Sequence, residues 1–246
     1  MSDMGVTVGE FRIGRVLSKG FTILFRNIVP FGLIALLAMS PPLLYALAVD
    51  PWILLGDDVH PGTELVIRIV EGLLGSFLAA AVVYGTAQDL RGRRAGTGAC
   101  IGRGLAVMLQ VLGVAFVAGL LIGLATLLFI VPGLIVATML WVAIPVAVME
   151  KNGLSALSRS SALTRGYRWK VFGLIVLLYL ILVVPIVGVG FLMVLFEENI
   201  MIVNAALMGV VAFYYALSAV VSTVGYHELR LVKEGAGMDE IAAVFD

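Results

Sequence analysis

The sequence predicts an all-α polytopic membrane protein with six transmembrane helices arranged as three hairpins. Hydrophobic residues make up 61% of the 246 residues and charged residues only 13%, whereas a soluble domain is about 45–50% apolar and about 25% charged. The apolar runs are continuous and each is about 20 residues long, which is the length of an α-helix that crosses a bilayer. A transmembrane barrel would show short alternating segments instead, so helices are the predicted spanning elements.

The basic residues are confined to one side of the predicted spans. Fifteen of the 16 lysines and arginines fall in the segments 1–27, 88–104, 150–170 and 228–246. The connections between them carry only acids, namely Asp50, Asp57, Asp58 and Glu64 in the first and Glu197 and Glu198 in the last. Lysine and arginine are retained on the cytoplasmic side of a membrane. We therefore expect both termini inside, with 228–246 as a cytoplasmic tail.

The first basic segment predicts an amphipathic helix over residues 8–27. Its polar face carries four cations and one threonine at spacings of 3, 4, 3 and 4, namely Arg12, Arg15, Lys19, Thr22 and Arg26. The four cations form a cationic stripe. Apolar residues, among them Ile13 and Leu17, occupy another face, which is typical of a helix lying in the membrane interface. The simpler interpretation is a basic flank to the first span. No small-residue cleavage site follows, so the first span is expected to be retained and not removed as a signal peptide.

One integral membrane domain is predicted for residues 1–246. The six predicted spans are 28–49, 65–87, 108–130, 133–149, 171–196 and 200–227. Residues 50–64 form the only long outer connection, and Trp52 within it suits an interfacial anchor. No connection is long enough to hold a separate outer domain.

The sequence also contains an internal similarity. Leu17-Ser18-Lys19-Gly20-Phe21 matches Leu163-Thr164-Arg165-Gly166-Tyr167 in chemical type, and residues 31–37 match 172–178 at six of seven positions. A weaker copy begins at Ile101. We interpret this as a unit of one in-plane helix and one transmembrane hairpin, used three times with the same orientation. Chance similarity among apolar sequences is the alternative.

Several of these motifs resemble a known family. The run Val131-Pro132-Gly133-Leu134, the run Pro145–Glu150, the serine-rich segment 153–166 and the tail Tyr226–Gly235 resemble the membrane domain of some bacterial glycerophosphoryl diester phosphodiesterases. They are equally similar to stand-alone inner-membrane proteins of the YciC-like type. The resemblance implies a bacterial inner-membrane location and a helical fold. It implies no catalysis, because no segment could hold the phosphodiesterase domain.

The densest basic segment is a candidate lipid-headgroup site. Its residues are Arg159, Arg165, Tyr167, Arg168 and Lys170, to which Arg15 and Lys19 of the first segment are added. Guanidinium groups suit phosphate, and the neighbouring serines could complete a site for an anionic headgroup. The alternative is that these cations only set the topology and anchor the chain at the interface. Gly166 is expected to terminate a helix as a C-cap residue.

A second candidate site lies inside the spans. Arg68 and Glu71 are three residues apart, on one face of a helix, and an intramembrane charge is a functional hypothesis by default. Both are shallow enough for a purely structural pair at the interface. Asn204 could line the same polar crevice or serve as a packing residue.

Prolines and small residues mark several spans. Pro41, Pro42, Pro145 and Pro185 each remove a backbone donor and are expected to bend their helices, as in transporters with broken helices or as simple kinks. The pairs Gly119 and Gly123, and Gly72 and Ser76, have the spacing of close helix contacts.

The sequence favours a non-enzymatic function. We expect a multi-pass protein that engages anionic phospholipid and organises, senses or helps transfer envelope lipid, with another membrane protein or a second copy as a further partner. The alternative is a small transporter or channel that uses Arg68 and Glu71, and a membrane-embedded lipid enzyme is third. No catalytic constellation, cofactor motif, metal-ligand cluster or nucleic-acid-binding pattern is present in the sequence, and the two histidines are distant from each other.

Overall fold

The computed structural model describes residues 10–48, 61–195 and 200–235, and across these ranges the fold is all-α with no strand. The helices are α1 (Ile13–Arg26), α2 (Ile28–Ala48), α3 (Pro61–Leu90), α4 (Thr97–Leu128), α5 (Ile130–Leu140), α6 (Ala143–Glu150), α7 (Ser155–Thr164), α8 (Arg168–Leu195) and α9 (Ile200–Glu234). Most of the predicted outer connection, including Trp52, the turn at Glu197 and Glu198, and the end of the tail lie outside the described residues.

Five helical segments are long and apolar enough to cross a membrane, and a bent pair would make six. The five are Leu65–Leu90, Thr97–Leu128, Ile130–Glu150, Arg168–Phe191 and Met201–Glu234. The bent pair is formed by α1 and the first part of α2, whose axes differ by 81°. The multi-span architecture predicted from the sequence is therefore confirmed, and each of the six predicted spans overlaps one of these segments or α2.

The first helix has the predicted amphipathic form but is shorter than predicted. It begins at Ile13, not at residue 8, and ends where Asn27 caps it by donating its backbone N–H to Ile23 and Phe25. Val16, Ile23 and Leu24 are buried on its apolar face. Gly20 lets this face approach α9 closely, because a Cβ there would lie 2.9 Å from Cγ2 of Val221.

The fourth predicted span is interrupted at Trp141 and Val142, between α5 and α6. Pro145 explains the interruption, since proline lacks the N–H that would bond the Trp141 carbonyl and its ring clashes with that carbonyl. The interruption lies where Pro145 was expected to disturb the span; its predicted bend stays a prediction. By contrast, α2 continues through Pro41, and α8 continues through Pro185.

The third span starts earlier than predicted, because α4 is continuous from Thr97 to Leu128. No separate short helix precedes it in the described chain, so the helix expected at the start of the weak middle copy is not found. A Cβ placed at Gly119 or Gly123 would have no neighbour within 4 Å. No described helix therefore packs closely against this GxxxG pair. Gly72 does pack against Leu112 of α4, as its spacing predicted.

Three helices, α3, α6 and α9, contact one another and form the centre of the bundle. We call them the return helices. In addition, α3 packs against α2, α6 against α4 and α9 against α8. Residues 143 and 145–148 of α6 are buried, so α6 lies deepest. We call the end where the return helices terminate, and where α1 and α7 lie, the basic end.

Candidate functional site

The cationic stripe of α1 meets a buried acid of α9. Lys19 Nζ donates to Oε1 of Glu228 at 2.6 Å, and Arg15 Nη1 lies 3.5 Å from Oε2 of the same carboxylate. The Glu228 side chain is only 3% exposed, whereas those of Arg15 and Lys19 are 41% and 46% exposed. Two cations therefore share one carboxylate, and the trio keeps one positive charge on a half-exposed surface.

The end of the stripe is tied to α3. Arg26 forms an ion pair with Oδ2 of Asp89, which is buried. Asn27 adds an amide bond of 3.3 Å to the other carboxylate oxygen and one of 2.9 Å to the Ile23 carbonyl. Asp89 lies one residue before the end of α3, where the helix dipole disfavours an acid, and the two donors offset that cost.

A closed ring of hydrogen bonds and ion pairs joins α6, α7 and α9. We call it the ion ring, and its five members are Glu150, Arg159, Glu234, Arg230 and Tyr226. Arg159 Nε lies 3.3 Å from Glu150 and its Nη2 pairs with Glu234, whose other oxygen accepts from Arg230 Nε at 3.1 Å. Arg230 donates to the Tyr226 hydroxyl at 3.2 Å, and this hydroxyl donates to Glu150 at 2.8 Å.

Two arginines and two glutamates make the ion ring neutral. Burial opposes the charged form of Arg159, but Glu150 and then Glu234 outweigh it and raise the pKa of its guanidinium. Arg159, predicted as a headgroup contact, is thus engaged in holding helices together.

The other predicted headgroup residues are divided among different surroundings. Arg165 is exposed and lies close enough to Lys233 for the two charges to repel each other. Arg168 is half-buried at the start of α8. The Tyr167 ring packs on Phe11 with centroids 5.8 Å apart, and the Lys170 ammonium lies 5.9 Å from the same tyrosine ring. The predicted patch is therefore not one site.

Lys170 links the start of α8 to the segment before α1. Its ammonium donates to Oε1 of the exposed Glu10 and, at 3.1 Å, to the Phe11 carbonyl. The hydrogen bond from Lys170, followed by its charge, holds the pKa of the Glu10 carboxyl below its usual range. Gly166, at φ +88°, follows the last residue of α7 and its cap, Arg165, so its predicted role in ending the helix is confirmed.

Side chains of neighbouring helices satisfy carbonyls at the ends of α5 and α6. Ser160 and Thr164 of α7, both fully buried, donate to the Met139 carbonyl near the end of α5 at 2.8 and 3.3 Å. Arg103 and Gln110 of α4 donate to carbonyls in the last turn of α6 at 3.2 and 3.1 Å. Helix ends leave such carbonyls without intrahelical partners, so the bonds to Met139 compensate the interruption and the other two satisfy the end of α6.

Away from the basic end, Arg68 and Glu71 form the predicted pair. Arg68 Nη1 lies 3.2 Å from Glu71 Oε2, with side chains 69% and 37% exposed. They line a half-open cavity of about 430 Å³ between α3, α4, α9 and the α5–α6 break. Ser76, Ser218 and Ser222 also line it, and we call it the central cavity. Asn204, fully buried, is not among the lining residues.

An apolar groove runs between α2 and α9. It has a volume of about 440 Å³ and extends from Leu24 and Ile28 at the basic end to Ser40 and Ala205. The stretch from Ile28 to Ser40 is about 18 Å long at 1.5 Å per residue. One leaflet of the hydrocarbon core is about 15 Å thick, so the groove has the length of a lipid chain in one leaflet.

Four acids that organise the basic end were not predicted as site residues from the sequence: Asp89, Glu150, Glu228 and Glu234. Their common signal is position, because each lies within the last seven residues of a return helix. Within the described ranges, no three His, Cys, Asp or Glu side chains are grouped to hold a metal ion.

Comparison of the chain with family models, curated proteins and solved structures finds no match.

Proposed function

We propose that the basic end faces the cytoplasm of a bacterium, with both termini inside and the helices spanning the inner membrane. The support is the sidedness of the basic residues, which the positive-inside rule relates to the cytoplasmic face. The family resemblance of the sequence motifs gives the same location.

We further propose that the protein is non-enzymatic and engages anionic phospholipid at this face, to organise, sense or help transfer envelope lipid. One observation carries the proposal. The described part of the basic end holds fifteen cations and five acids, a surplus of ten positive charges. The acids, Glu10, Asp89, Glu150, Glu228 and Glu234, all have cationic partners. This surplus among the described residues supports an interaction with anionic headgroups, which supply negative charge at the membrane surface.

The cationic stripe of α1, which we call the α1 stripe, is the best-defined place for a headgroup. Arg15 and Lys19 are held by Glu228 yet nearly half exposed, and together the three carry one excess charge. The apolar groove starts on the same helix, at Leu24. A phospholipid with its phosphate on the stripe and one acyl chain in the groove would use both features.

The test is native mass spectrometry of the full chain purified in mild detergent from membranes containing phosphatidylglycerol. We expect the double variant Arg15→Gln/Lys19→Gln to retain less of this lipid, because each cation near such a surface contributes about 1 kcal/mol, or roughly thirtyfold in affinity for the two. Ala205→Trp, which fills the groove without changing charge, should also lower retention. Arg68→Gln, far from the basic end, is the control. Unchanged retention in the double variant would contradict the proposal.

The central cavity favours a second function, that of a small transporter. Irregular backbone at membrane depth is tolerated where it lines a cavity, and broken helices are typical of transporter sites. Swelling of proteoliposomes in isosmotic solutions of small polar solutes tests this function. Trp141→Ala should speed swelling, since the Trp141 ring lines the cavity beside the helix break. Absence of swelling with every solute, in wild type and variant, would exclude passive passage.

A further inference from the structure

The central cavity combines one face of each of two return helices. On α3 the lining residues from Arg68 to Ala79 follow helical spacing, and on α9 those from Tyr215 to Ser222 do the same. The lining on α3 covers about 16 Å. Toward the basic end the cavity is limited by Trp141, because its ring would lie 2.5 Å from a Cβ at residue 225, one turn beyond Ser222.

Charge is placed at the mouth of this cavity. Arg68 and Glu71 lie seven and ten residues into α3 from the end opposite the basic end, and Glu71 is one turn deeper. The Arg68 side chain of this ion pair is 69% exposed. A ligand that carries both signs of charge could replace this one pair by two, without leaving an uncompensated charge.

The deeper polar groups offer acceptors. Ser76 already donates its hydroxyl proton to the Gly72 carbonyl at 2.7 Å, and Ser222 donates to the Ala219 carbonyl at 3.1 Å. Each of these two hydroxyl oxygens keeps lone pairs, so a molecule bound to Ser76 and Ser222 must supply the hydrogen-bond donors. A primary ammonium does so and is attracted by the Glu71 carboxylate above it. An anionic group suits the Arg68 guanidinium.

We propose that the central cavity is a binding site for a small zwitterion with a primary ammonium group and an anionic group. A volume of about 430 Å³ lies at the small end of the range of ligand pockets. The charged mouth of the site lies toward the end of the bundle opposite the α1 stripe, and the proposal rests neither on lipid binding at that stripe nor on transport.

The probe is phosphoethanolamine, titrated onto the full chain in phosphatidylcholine nanodiscs and followed by calorimetry. We expect it to bind roughly tenfold or more tightly than ethanolamine, inorganic phosphate or phosphocholine, because each lacks one charge or the ammonium donors. Glu71→Gln should weaken binding by a similar factor, whereas Glu10→Gln should not. Ser222→Ala removes one acceptor with little change in volume, and it tests the site if the Glu71 variant does not fold.

The source of the zwitterion is distinguished by a second set of nanodiscs made with phosphatidylethanolamine. Loss of the calorimetric signal there means that the lipid headgroup occupies the site, and an unchanged signal means that the site takes a free solute. The proposal is overturned if phosphoethanolamine does not bind in phosphatidylcholine, if phosphate alone binds equally well, or if neither Glu71→Gln nor Ser222→Ala weakens binding. Lipid retention at the α1 stripe is measured separately, so the two proposals can fail independently.

Discussion

Tyr226 donates its hydroxyl proton to Glu150 across 2.8 Å, and this bond connects the last residue of α6 to α9 at a sequence separation of 76 residues. The Tyr226 ring is fully buried, and its hydroxyl also accepts from Arg230. The bond therefore closes the ion ring at its most buried member.

Replacement of Tyr226 by phenylalanine should destabilise the bundle with little change in packing. A hydrogen bond to a charged group contributes about 1.5–3 kcal/mol, and the phenylalanine ring would fill the same space. The melting temperature in detergent is expected to fall. Tyr215→Phe, at an exposed hydroxyl, should leave it unchanged. Equal melting temperatures for Tyr226→Phe and the wild type would show that the Tyr226 hydroxyl contributes no stability.

The Arg26 and Asp89 ion pair can be measured by a double-mutant cycle. We expect Arg26→Gln and Asp89→Asn each to lower stability, and the double variant to lose less than the sum. The coupling free energy should be about 1–3 kcal/mol, as for residues in direct contact within one network. Thermal unfolding of the four proteins supplies the cycle. Additive effects would mean that the pair does not act as a unit.

The contact between Gly225 and Trp141 predicts a size limit. A Cβ at residue 225 would lie 2.5–2.6 Å from two atoms of the Trp141 ring, so Gly225→Ala should destabilise by about 1–3 kcal/mol, the usual cost of overpacking. Trp141→Phe should restore part of this loss in the double variant. Gly209→Ala on the same helix, where a Cβ meets nothing, is the matched control. A melting temperature for Gly225→Ala equal to that of the control would contradict the predicted clash.

The Glu10 and Lys170 pair predicts a response to acid. Because the folded-state pKa of Glu10 is lowered, the ionised carboxylate stabilises the folded chain above the ordinary glutamate pKa. That contribution is lost as the pH falls through the lowered value. Carbon-13 NMR titration of the Glu10 carboxyl should show the low pKa, and Lys170→Gln should raise it toward the ordinary value. The same pKa in both proteins would exclude the lysine as the cause.

Orientation is tested by reporters. Green fluorescent protein fused after Lys151 should fluoresce, whereas alkaline phosphatase fused there should be inactive, if the basic end is cytoplasmic. Active phosphatase at Lys151 would reverse the proposed topology.

Local patterns were sufficient to predict the spans and α1, but not the partners of the charged residues. Hydrophobic length identifies a span, and the spacing of Arg15, Lys19 and Arg26 identifies a helix face. Lys19 and Glu228, however, are 209 residues apart, and no periodicity relates them. The sequence therefore suggested that the stripe faces headgroups alone, whereas the structure places a buried carboxylate on its inner side.

The interruption at Trp141 was likewise predictable only in part from local patterns. Pro145 predicted a disturbance in the fourth span, because proline acts on the residue four positions earlier. That Ser160 and Thr164 from a different helix would satisfy the Met139 carbonyl depends on how α7 packs. The polar character of the central cavity likewise arises from serines that look unremarkable in their own helices.

The three return helices end where α2, α4 and α8 begin, and this has an electrostatic consequence for the basic end. Each α-helix carries the equivalent of about half a negative charge at its C-terminus and about half a positive charge at its N-terminus. Three termini of each sign therefore meet at the basic end, and their partial charges cancel. The potential that reaches a lipid surface is consequently set by the side chains and not by the peptide backbone.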